Sequence, residues 1–210
     1  MGLLLPSMVK RLANPEQFQG ALYETAVAGA FARAGFEIVL EDESKGIEKK
    51  CEFVATHKAT GRHYSVEAKS RHRPGILGHG GIPNAKGEEP RVERLIEKAL
   101  EKVAEHDRII CIDINHPETG VSPGVEWGKV VQKQVDSLQD RGAGPAVLVF
   151  TNAPFHYLPQ GEPARGEISM TMGLNEPRFQ PQDFLSTDRG FPGLVAAMAH
   201  FRTPVPGNWD

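Results

Sequence analysis

The sequence predicts an α/β fold in which helices flank a mixed central sheet. Between residues 36 and 69, short apolar runs alternate with turn signals, a pattern typical of antiparallel strands joined by hairpins. Between residues 91 and 151, helical periodicity alternates with two continuous apolar runs, RIICIDI and AVLVFT. Runs of this kind are typical of strands that are buried on both faces of a sheet and joined by helical crossovers.

The first element is a helix predicted from Asn14 to Ala34. Asn14 can cap its start, Pro15 suits the first helical position, and Gln17 can complete a capping box. Gly35 is expected to end the helix. The residues expected on its packing face follow helical spacing: Phe18, Ala21, Leu22, Thr25, Ala28, Gly29 and Ala32.

Three strands are predicted after this helix, and the last two form a hairpin. The first strand is Phe36–Leu40, the second covers 51–56 and the third covers 63–69, with a turn near Ala59–Gly61 between the second and third. A short link that contains glycine is typical of antiparallel neighbours, so these two strands are expected to pair.

The third strand has one apolar face and one charged face. Because strand residues alternate between faces, Glu67 and Lys69 lie together, on the side opposite to Tyr64, Val66 and Ala68. The apolar side is an ordinary core face. The charged side is either a solvated surface that carries an ion pair or a functional site.

The second half of the chain begins with a long predicted loop. Residues 70–90 contain five glycines and three prolines without any period, which is typical of a loop. The sequence then predicts a helix over 91–105, a strand over 108–114, a helix around Trp127–Leu138 and a strand over 146–151.

The C-terminal part of the chain has a different composition. Eight of the sixteen prolines lie in 151–210, and one helical pattern stands out there, at Gly193–Phe201. We therefore expect one domain over residues 1–151 and an irregular, proline-rich C-terminal extension over 152–210 that packs on the same domain.

The composition is that of an ordinary globular protein, with 40% hydrophobic and 24% charged residues. No apolar run reaches membrane-spanning length, and Pro6 interrupts the apolar start too early for a secretory signal. Cys51 and Cys111 lie in apolar strand-like runs and are expected to be buried free thiols. These features predict a cytoplasmic protein that has no membrane partner.

Charge is unevenly distributed along the chain, whose net charge is -3. From Lys45 to Gly87 there are nine Lys or Arg residues and three acidic residues, so this stretch carries +6 and the remainder carries -9. A basic surface on an acidic protein can attract a polyanion. A solvated charged face would have the same composition, so charge alone leaves both interpretations open.

Glu52 lies in the strand before Glu67, and antiparallel pairing can bring the two carboxylates together. Converging carboxylates repel each other unless a cation lies between them. Mg²⁺, or Mn²⁺ in its place, suits such a site because it binds one or two carboxylates and retains waters and phosphate oxygens. The backbone carbonyl of Ala68 could add a ligand, and Lys69 could hold or deprotonate a water that attacks phosphorus.

This arrangement resembles the PD-(D/E)xK nuclease superfamily, which has the restriction-endonuclease-like fold. The resemblance rests on a helix with a glutamate, a strand, an acidic strand residue and a strand that ends in Glu-x-Lys. It implies that Glu52 and Glu67 hold the metal and that Lys69 acts on the water. Glu24 would join these catalytic residues from the helix. The family usually has an aspartate after a proline at the position of Glu52, so Glu48 is an alternative for that role.

The resemblance implies a Mg²⁺-dependent endonuclease, with DNA as the favoured substrate and RNA as the second choice. Cleavage of both strands of a duplex would favour a homodimer, since one site cuts one strand. The loop after Lys69 is rich in cations, and we expect Arg71, Arg73 and Lys86 to bind the phosphate backbone. The alternative function is that of a catalytically inactive nuclease-like module that binds nucleic acid or a protein partner.

Overall fold

The computed structural model describes residues 6–41, 49–72, 91–115, 124–152 and 167–177, together with Leu194 and Ala197. The helices are α1 (Pro6–Leu12), α2 (Phe18–Arg33), α3 (Glu93–Leu100) and α4 (Gly124–Asp140). The strands are β1 (Phe36–Leu40), β2 (Phe53–His57), β3 (His63–Ser70), β4 (Asp107–Asp113), β5 (Ala146–Asn152) and β6 (Glu167–Leu174).

The strands form one mixed sheet in the order β1-β2-β3-β4-β5-β6. The first three strands pair antiparallel, β4 pairs parallel with both β3 and β5, and β6 pairs antiparallel with β5. Helices α3 and α4 connect the two parallel pairs, since parallel neighbours need a crossover. The predicted α/β class with a mixed sheet is therefore confirmed.

Helices cover both faces of the sheet and create two hydrophobic cores. On one face, α2 packs Val27 and Phe31 into a core that includes Ile109. On the other face, residues of α3 and α4 pack into a core that includes Ile110. Ile109 and Ile110 are adjacent in β4, and both are fully buried. Burial on both faces explains the continuous apolar run of β4, because each such side chain contributes about 1.5–3 kcal/mol.

Helix α2 begins later than predicted. Its first residue is Phe18, and within the described part of the chain the Gln17 side chain makes no capping hydrogen bond. Asn14 instead accepts a 3.0 Å hydrogen bond from the backbone N–H of Glu16, in the turn that follows α1. The predicted cap at Asn14 and its capping box with Gln17 are therefore wrong.

The buried face of α2 also differs from the predicted face. Of the seven residues expected there, Ala21 is buried, most of the others are half-buried, and Ala32 is exposed. The large buried residues of this helix are Gln19, Tyr23, Glu24, Val27 and Phe31. Alanine and glycine occur all round the helix, so its sequence has little amphipathic contrast from which to read the packing face.

Helix α3 ends at Leu100, before the predicted end at Glu105. Beyond it, the backbone N–H of Val103 donates a 2.8 Å hydrogen bond to the carbonyl of Lys49. The carbonyl of Val103 accepts a 3.3 Å hydrogen bond from the N–H of Cys51. This parallel bridge places the chain after α3 beside the start of β2.

The C-terminal extension is not wholly irregular, because residues 167–174 form β6. The backbone of β6 pairs with the whole of β5, from Ala146 to Asn152. The sequence-based prediction missed this strand. Leu194 and Ala197, two residues of the predicted C-terminal helix, are buried in the core that α2 covers. The rest of that predicted helix lies outside the described residues.

Both cysteines are buried and free, as predicted. Burial is the main cause that raises the pKa of Cys51 to about 11, and it also raises the pKa of Cys111. Both thiols therefore stay protonated at neutral pH and are poor nucleophiles. Across the described ranges, no helix combines the length and apolar character that a bilayer crossing requires.

Candidate functional site

The β2–β3 hairpin places the carboxylates of Glu52 and Glu67 side by side. Its register pairs Phe53 with Val66, so Glu52 and Glu67 are the next facing residues. The backbone N–H of Glu52 donates a 3.1 Å hydrogen bond to Glu67 Oε2. The Glu67 side chain is fully buried, and that of Glu52 is 11% exposed. The predicted convergence is therefore present, and the alternative of a solvated surface is wrong for this face.

Two lysines lie beside this carboxylate pair. Lys69 Nζ donates to Glu67 Oε1 and lies 3.6 Å from Glu52 Oε1. Lys102 Nζ donates to Glu52 Oε1 over 3.0 Å and lies 3.4 Å from Glu67 Oε1. One oxygen of each carboxylate thus faces both ammonium groups, so the two carboxyl groups are accompanied by two cations.

Sequence reasoning missed Lys102. A helix continued to Glu105 would carry this lysine as one more polar residue, whereas its side chain is 10% exposed in the structure. The guanidinium of Arg108 holds the turn, since it donates to the carbonyl of Lys102 (2.7 Å) and to that of Leu100 (3.2 Å). No local sequence signal identifies Lys102, because contacts between distant segments bring it to the site.

Burial dominates the electrostatics of the pair. Burial, followed by the charge of Glu52, raises the pKa of Glu67 to about 7, while Lys69 and Lys102 oppose this rise. At neutral pH the Glu67 carboxyl is therefore close to its titration midpoint. The ammonium groups beside Glu67 stabilise its ionised form, which would otherwise be a buried charge without a partner.

Glu24 of α2 lies near this pair but has its own partner. Arg11 of α1 donates two hydrogen bonds to the Glu24 carboxylate, of 2.5 and 2.6 Å. Burial raises the pKa of Glu24, the hydrogen bonds from Arg11 oppose this, and the charges of Glu52 and Lys69 also act on it. Among the described residues, no three His, Cys, Asp or Glu side chains form a metal-binding group. The catalytic role of Glu24 stays a prediction.

A cleft of about 640 Å³ opens next to Lys69. Its lining includes Glu24 and three further side chains that are basic: Arg11, His72 and Lys98. Lys69 borders the cleft and also contacts the buried carboxylates, so it connects the two. Arg11 pairs with Glu24 and Lys69 pairs with Glu67, so Lys98 leaves the cleft with a small excess of positive charge, which suits an anionic ligand.

Gly20 lets His72 approach α2 at the wall of this cleft. A Cβ atom built at Gly20 would lie 3.1 Å from His72 Nε2, which is closer than an ordinary contact. The same Cβ would lie 3.9 Å from Glu24 Oε1. The missing side chain at position 20 therefore leaves room for the imidazole beside the buried carboxylate.

Buried hydroxyl groups surround Asp113, close in the sheet to Lys69. Ser70 Oγ donates to Asp113 Oδ2 over 3.3 Å, and Thr151 Oγ1 donates to Asp113 Oδ1 over 3.5 Å. The hydroxyl of Tyr23 forms a 2.7 Å hydrogen bond with Thr151 Oγ1. This network joins α2 to the ends of β3, β4 and β5, and so fixes the strand end that carries Lys69.

Of the residues predicted to bind nucleic acid, the structure describes Arg71. Its N–H donates to the carbonyl of the last residue of β4 (3.0 Å), and its own carbonyl accepts a 2.7 Å hydrogen bond from Asn115 Nδ2. The side chain of Arg71 is half-buried. Arg73 and Lys86 lie outside the described residues, as does Glu48. The phosphate contacts of this loop stay a prediction.

The donor set of the pair fits a divalent cation. Lys102 Nζ lies within 3.4 Å of one oxygen of Glu52 and one of Glu67, so both oxygens can face a single cation. Carboxylate oxygens are the ligands that Mg²⁺ and Mn²⁺ prefer. Ala68, whose backbone carbonyl is a predicted further ligand, lines the cleft beside Lys69.

Comparisons of the chain with protein-family models, with curated proteins and with solved structures found no match.

Proposed function

We propose that the chain is a metal-dependent nuclease of the PD-(D/E)xK type that hydrolyses phosphodiester bonds, with DNA as its favoured substrate. The observation that carries the proposal is the convergence of Glu52 and Glu67 on shared cations, one of which is the ammonium of Lys69. These are the residues on which the resemblance rests, and Lys69 borders a cleft with excess positive charge.

The order of the elements also supports the proposal. Helix α2 carries Glu24, β1 follows, and the β2–β3 hairpin then presents Glu52 and, two positions apart, Glu67 and Lys69. The resemblance rests on the same order of helix, strand, acidic residue and Glu-x-Lys strand. A mixed sheet with helices on both faces accompanies it.

In this function, Glu52 and Glu67 would hold Mg²⁺ or Mn²⁺ together with the carbonyl of Ala68. A bound ion of this kind stabilises charge on the phosphate and lowers the pKa of a bound water. Lys69 reaches from the carboxylates to the cleft, so its ammonium can orient the attacking water or a phosphate oxygen. During hydrolysis the water oxygen forms a bond to phosphorus, and the bond from phosphorus to the leaving sugar oxygen breaks.

The charges along the cleft favour a polyanionic substrate. Arg11 approaches it from α1 and Lys98 from α3, and both line the same open space as Lys69. Cations on two sides of a cleft can contact successive phosphates of a backbone, which adds affinity without sequence choice. The preference for DNA over RNA comes from the resemblance. A homodimer would supply the second active site that cleavage of both strands requires.

The second candidate function is a catalytically inactive module that binds nucleic acid or a protein partner. One observation favours it. Lys69 and Lys102 already balance the two carboxylates of the pair, and Arg11 balances Glu24. The cluster is therefore electrically complete without a metal, as a structural ion network would be.

Cleavage assays on four substrates separate these candidates: supercoiled plasmid, linear duplex, single-stranded DNA and RNA, each with Mg²⁺, Mn²⁺ or a chelator. We expect metal-dependent cleavage of DNA that Glu67→Gln abolishes. Lys58→Met, in the exposed turn at the other end of the hairpin, is the control and should cleave as the wild type does. The nuclease proposal fails if the wild type cleaves none of the four substrates, or if Glu67→Gln cleaves as well as the wild type.

A further inference from the structure

The ion cluster contains one lysine more than the proposed chemistry uses. Lys69 is 21% exposed and borders the cleft, so it has open space beside it. Lys102 is 10% exposed. The two ammonium groups face the same two carboxylate oxygens, but Lys69 can turn towards a substrate, whereas Lys102 is more enclosed.

The backbone at Lys102 is held at several points. Its N–H donates to the carbonyl of Ala99 over 3.3 Å, and its carbonyl accepts the 2.7 Å hydrogen bond from Arg108. The next residue, Val103, is bridged to the segment before β2. The backbone of Lys102 is therefore held in place next to the carboxylates. Only rotation about its side-chain bonds can move the ammonium group.

We propose that Lys102 is a resident counter-cation that competes with a divalent metal ion for Glu52 and Glu67. This inference rests on the proposed function, because it concerns the same metal site. Lys102 Nζ lies 3.0 Å from Glu52 Oε1 and 3.4 Å from Glu67 Oε1, so it faces the two oxygens that a shared ion would bind. An ammonium group and a divalent ion at the same oxygens repel each other, so the ion can bind only if the ammonium moves away.

Competition gives Lys102 two opposite effects. Without metal, its charge offsets the repulsion between two buried carboxylates and stabilises the fold. With metal, the same charge lowers the affinity of the pair for the ion. Removal of the charge therefore destabilises the metal-free protein and strengthens metal binding. A lysine with a purely structural role would act differently, because its loss would weaken the fold and the metal site together.

Calorimetric titration of Mn²⁺ into the wild type, Lys102→Met and Lys58→Met at one ionic strength tests this inference. Methionine keeps most of the apolar stem and removes the charge, and the exposed Lys58 controls for the change in net charge. We expect Lys102→Met to bind Mn²⁺ at least about tenfold more tightly than the wild type, because a cation no longer competes for the oxygens. Its melting temperature without metal should be lower. Lys58→Met should match the wild type in both measurements.

The possible results separate the role of Lys102 from the metal site itself. If the wild type binds Mn²⁺ and Lys102→Met binds it equally or more weakly, the role of Lys102 is overturned and the metal site stands. If neither protein binds Mn²⁺, the inference and the proposed metal site fail together. Glu67→Gln added to Lys102→Met should remove the gained affinity, and a gain that persists would place it elsewhere and overturn the inference.

A second variant keeps the test valid if Lys102→Met does not fold. If Lys102→Met is unfolded without metal, Lys102→Gln replaces it, since glutamine can still donate a hydrogen bond to a carboxylate oxygen without carrying charge. Tighter Mn²⁺ binding by this variant, or recovery of its fold when Mn²⁺ is added, supports the competition. Weaker binding, or no recovery, contradicts it.

Discussion

The backbone N–H of Glu52 donates a 3.1 Å hydrogen bond to Oε2 of Glu67 across the β2–β3 hairpin. The main chain of one acidic residue thus anchors the side chain of the other, while Oε1 of Glu67 faces Lys69 and Lys102. The register of the hairpin brings the two residues together, and the hydrogen bond from the main chain holds Oε2 of Glu67 in place. A site that binds an ion between them needs this kind of support.

The raised pKa of Glu67 predicts that stability falls as pH rises through the weakly acidic range. Below about pH 4.5, its carboxyl is protonated in the folded and the unfolded chain alike. Between there and about pH 7, only the folded chain keeps the proton, so the free energy of unfolding decreases as pH rises across this window. The Glu67→Gln variant lacks this titration, so its free energy of unfolding should decrease less across the same pH range. Urea unfolding of both proteins across this range checks the difference, and identical pH profiles would contradict it.

Lys69→Met should separate metal binding from catalysis. Protonated lysine has no lone pair to offer an ion, so the affinity for Mn²⁺ should not decrease. Cleavage at saturating metal should decrease by about 10²-fold or more, because the group that orients the water or phosphate is removed. Single-turnover rates, measured beside DNA affinity, check this prediction. A loss of DNA affinity as large as the loss of rate would make Lys69 a phosphate anchor instead.

The pair of Arg11 and Glu24 should be strongly coupled. The Glu24 side chain is 7% exposed and that of Arg11 is 32% exposed, so removal of Arg11 leaves a buried carboxylate without its bidentate partner. A double-mutant cycle with Arg11→Met and Glu24→Gln should give a coupling free energy of about 1–3 kcal/mol. The surface pair of Arg141 and Glu93, 51% and 38% exposed, is the control and should give less than about 1 kcal/mol. Equal coupling in the two pairs would contradict this prediction.

Lys98→Met should weaken DNA binding to the same extent for unrelated sequences. Lys98 lines the cleft from α3, and removal of its charge from a DNA phosphate should reduce the slope of log K against log salt by about one. Fluorescence anisotropy at several salt concentrations, with the metal omitted to prevent cleavage, measures both quantities. Lys58→Met, at the other end of the hairpin, should bind as the wild type does. An unchanged affinity and slope would exclude Lys98 from the substrate path.

The hairpin and its carboxylate pair could be predicted because local patterns determine them. Alternation along β3 separates its two faces, and Gly61 has a φ of 69° in the turn that joins β2 to β3. Because Phe53 pairs with Val66, Glu52, the residue before β2, lies next to Glu67. The strands β4 and β5 could also be predicted, because strands buried on both faces consist of continuous apolar runs.

Lys102 and Arg11 could not be predicted, because interactions between distant segments bring them to the site. Lys102 reaches the carboxylates because α3 ends at Leu100 and the next residues bridge to the segment before β2. Arg11 lies on α1, and none of the seven residues of that helix is buried. The helix therefore has no apolar stripe from which its position could be predicted. Strand β6 was missed because its sequence, EISMTMGL, is not a continuous apolar run, so its pairing with β5 has no strong local signal.

The most direct test of the central claim is a double-mutant cycle on the rate of DNA cleavage. The claim is that Glu52 and Glu67 hold one ion between them, so either residue alone should be insufficient. Single-turnover rates at saturating Mg²⁺ would be measured for the wild type, Glu52→Gln, Glu67→Gln and the double variant. We predict that each single variant loses about 10³-fold or more, and that the double variant loses no more than the worse single variant, because residues that act as a unit are not additive. Losses that multiply in the double variant, or a wild-type rate that does not depend on Mg²⁺, would contradict the claim.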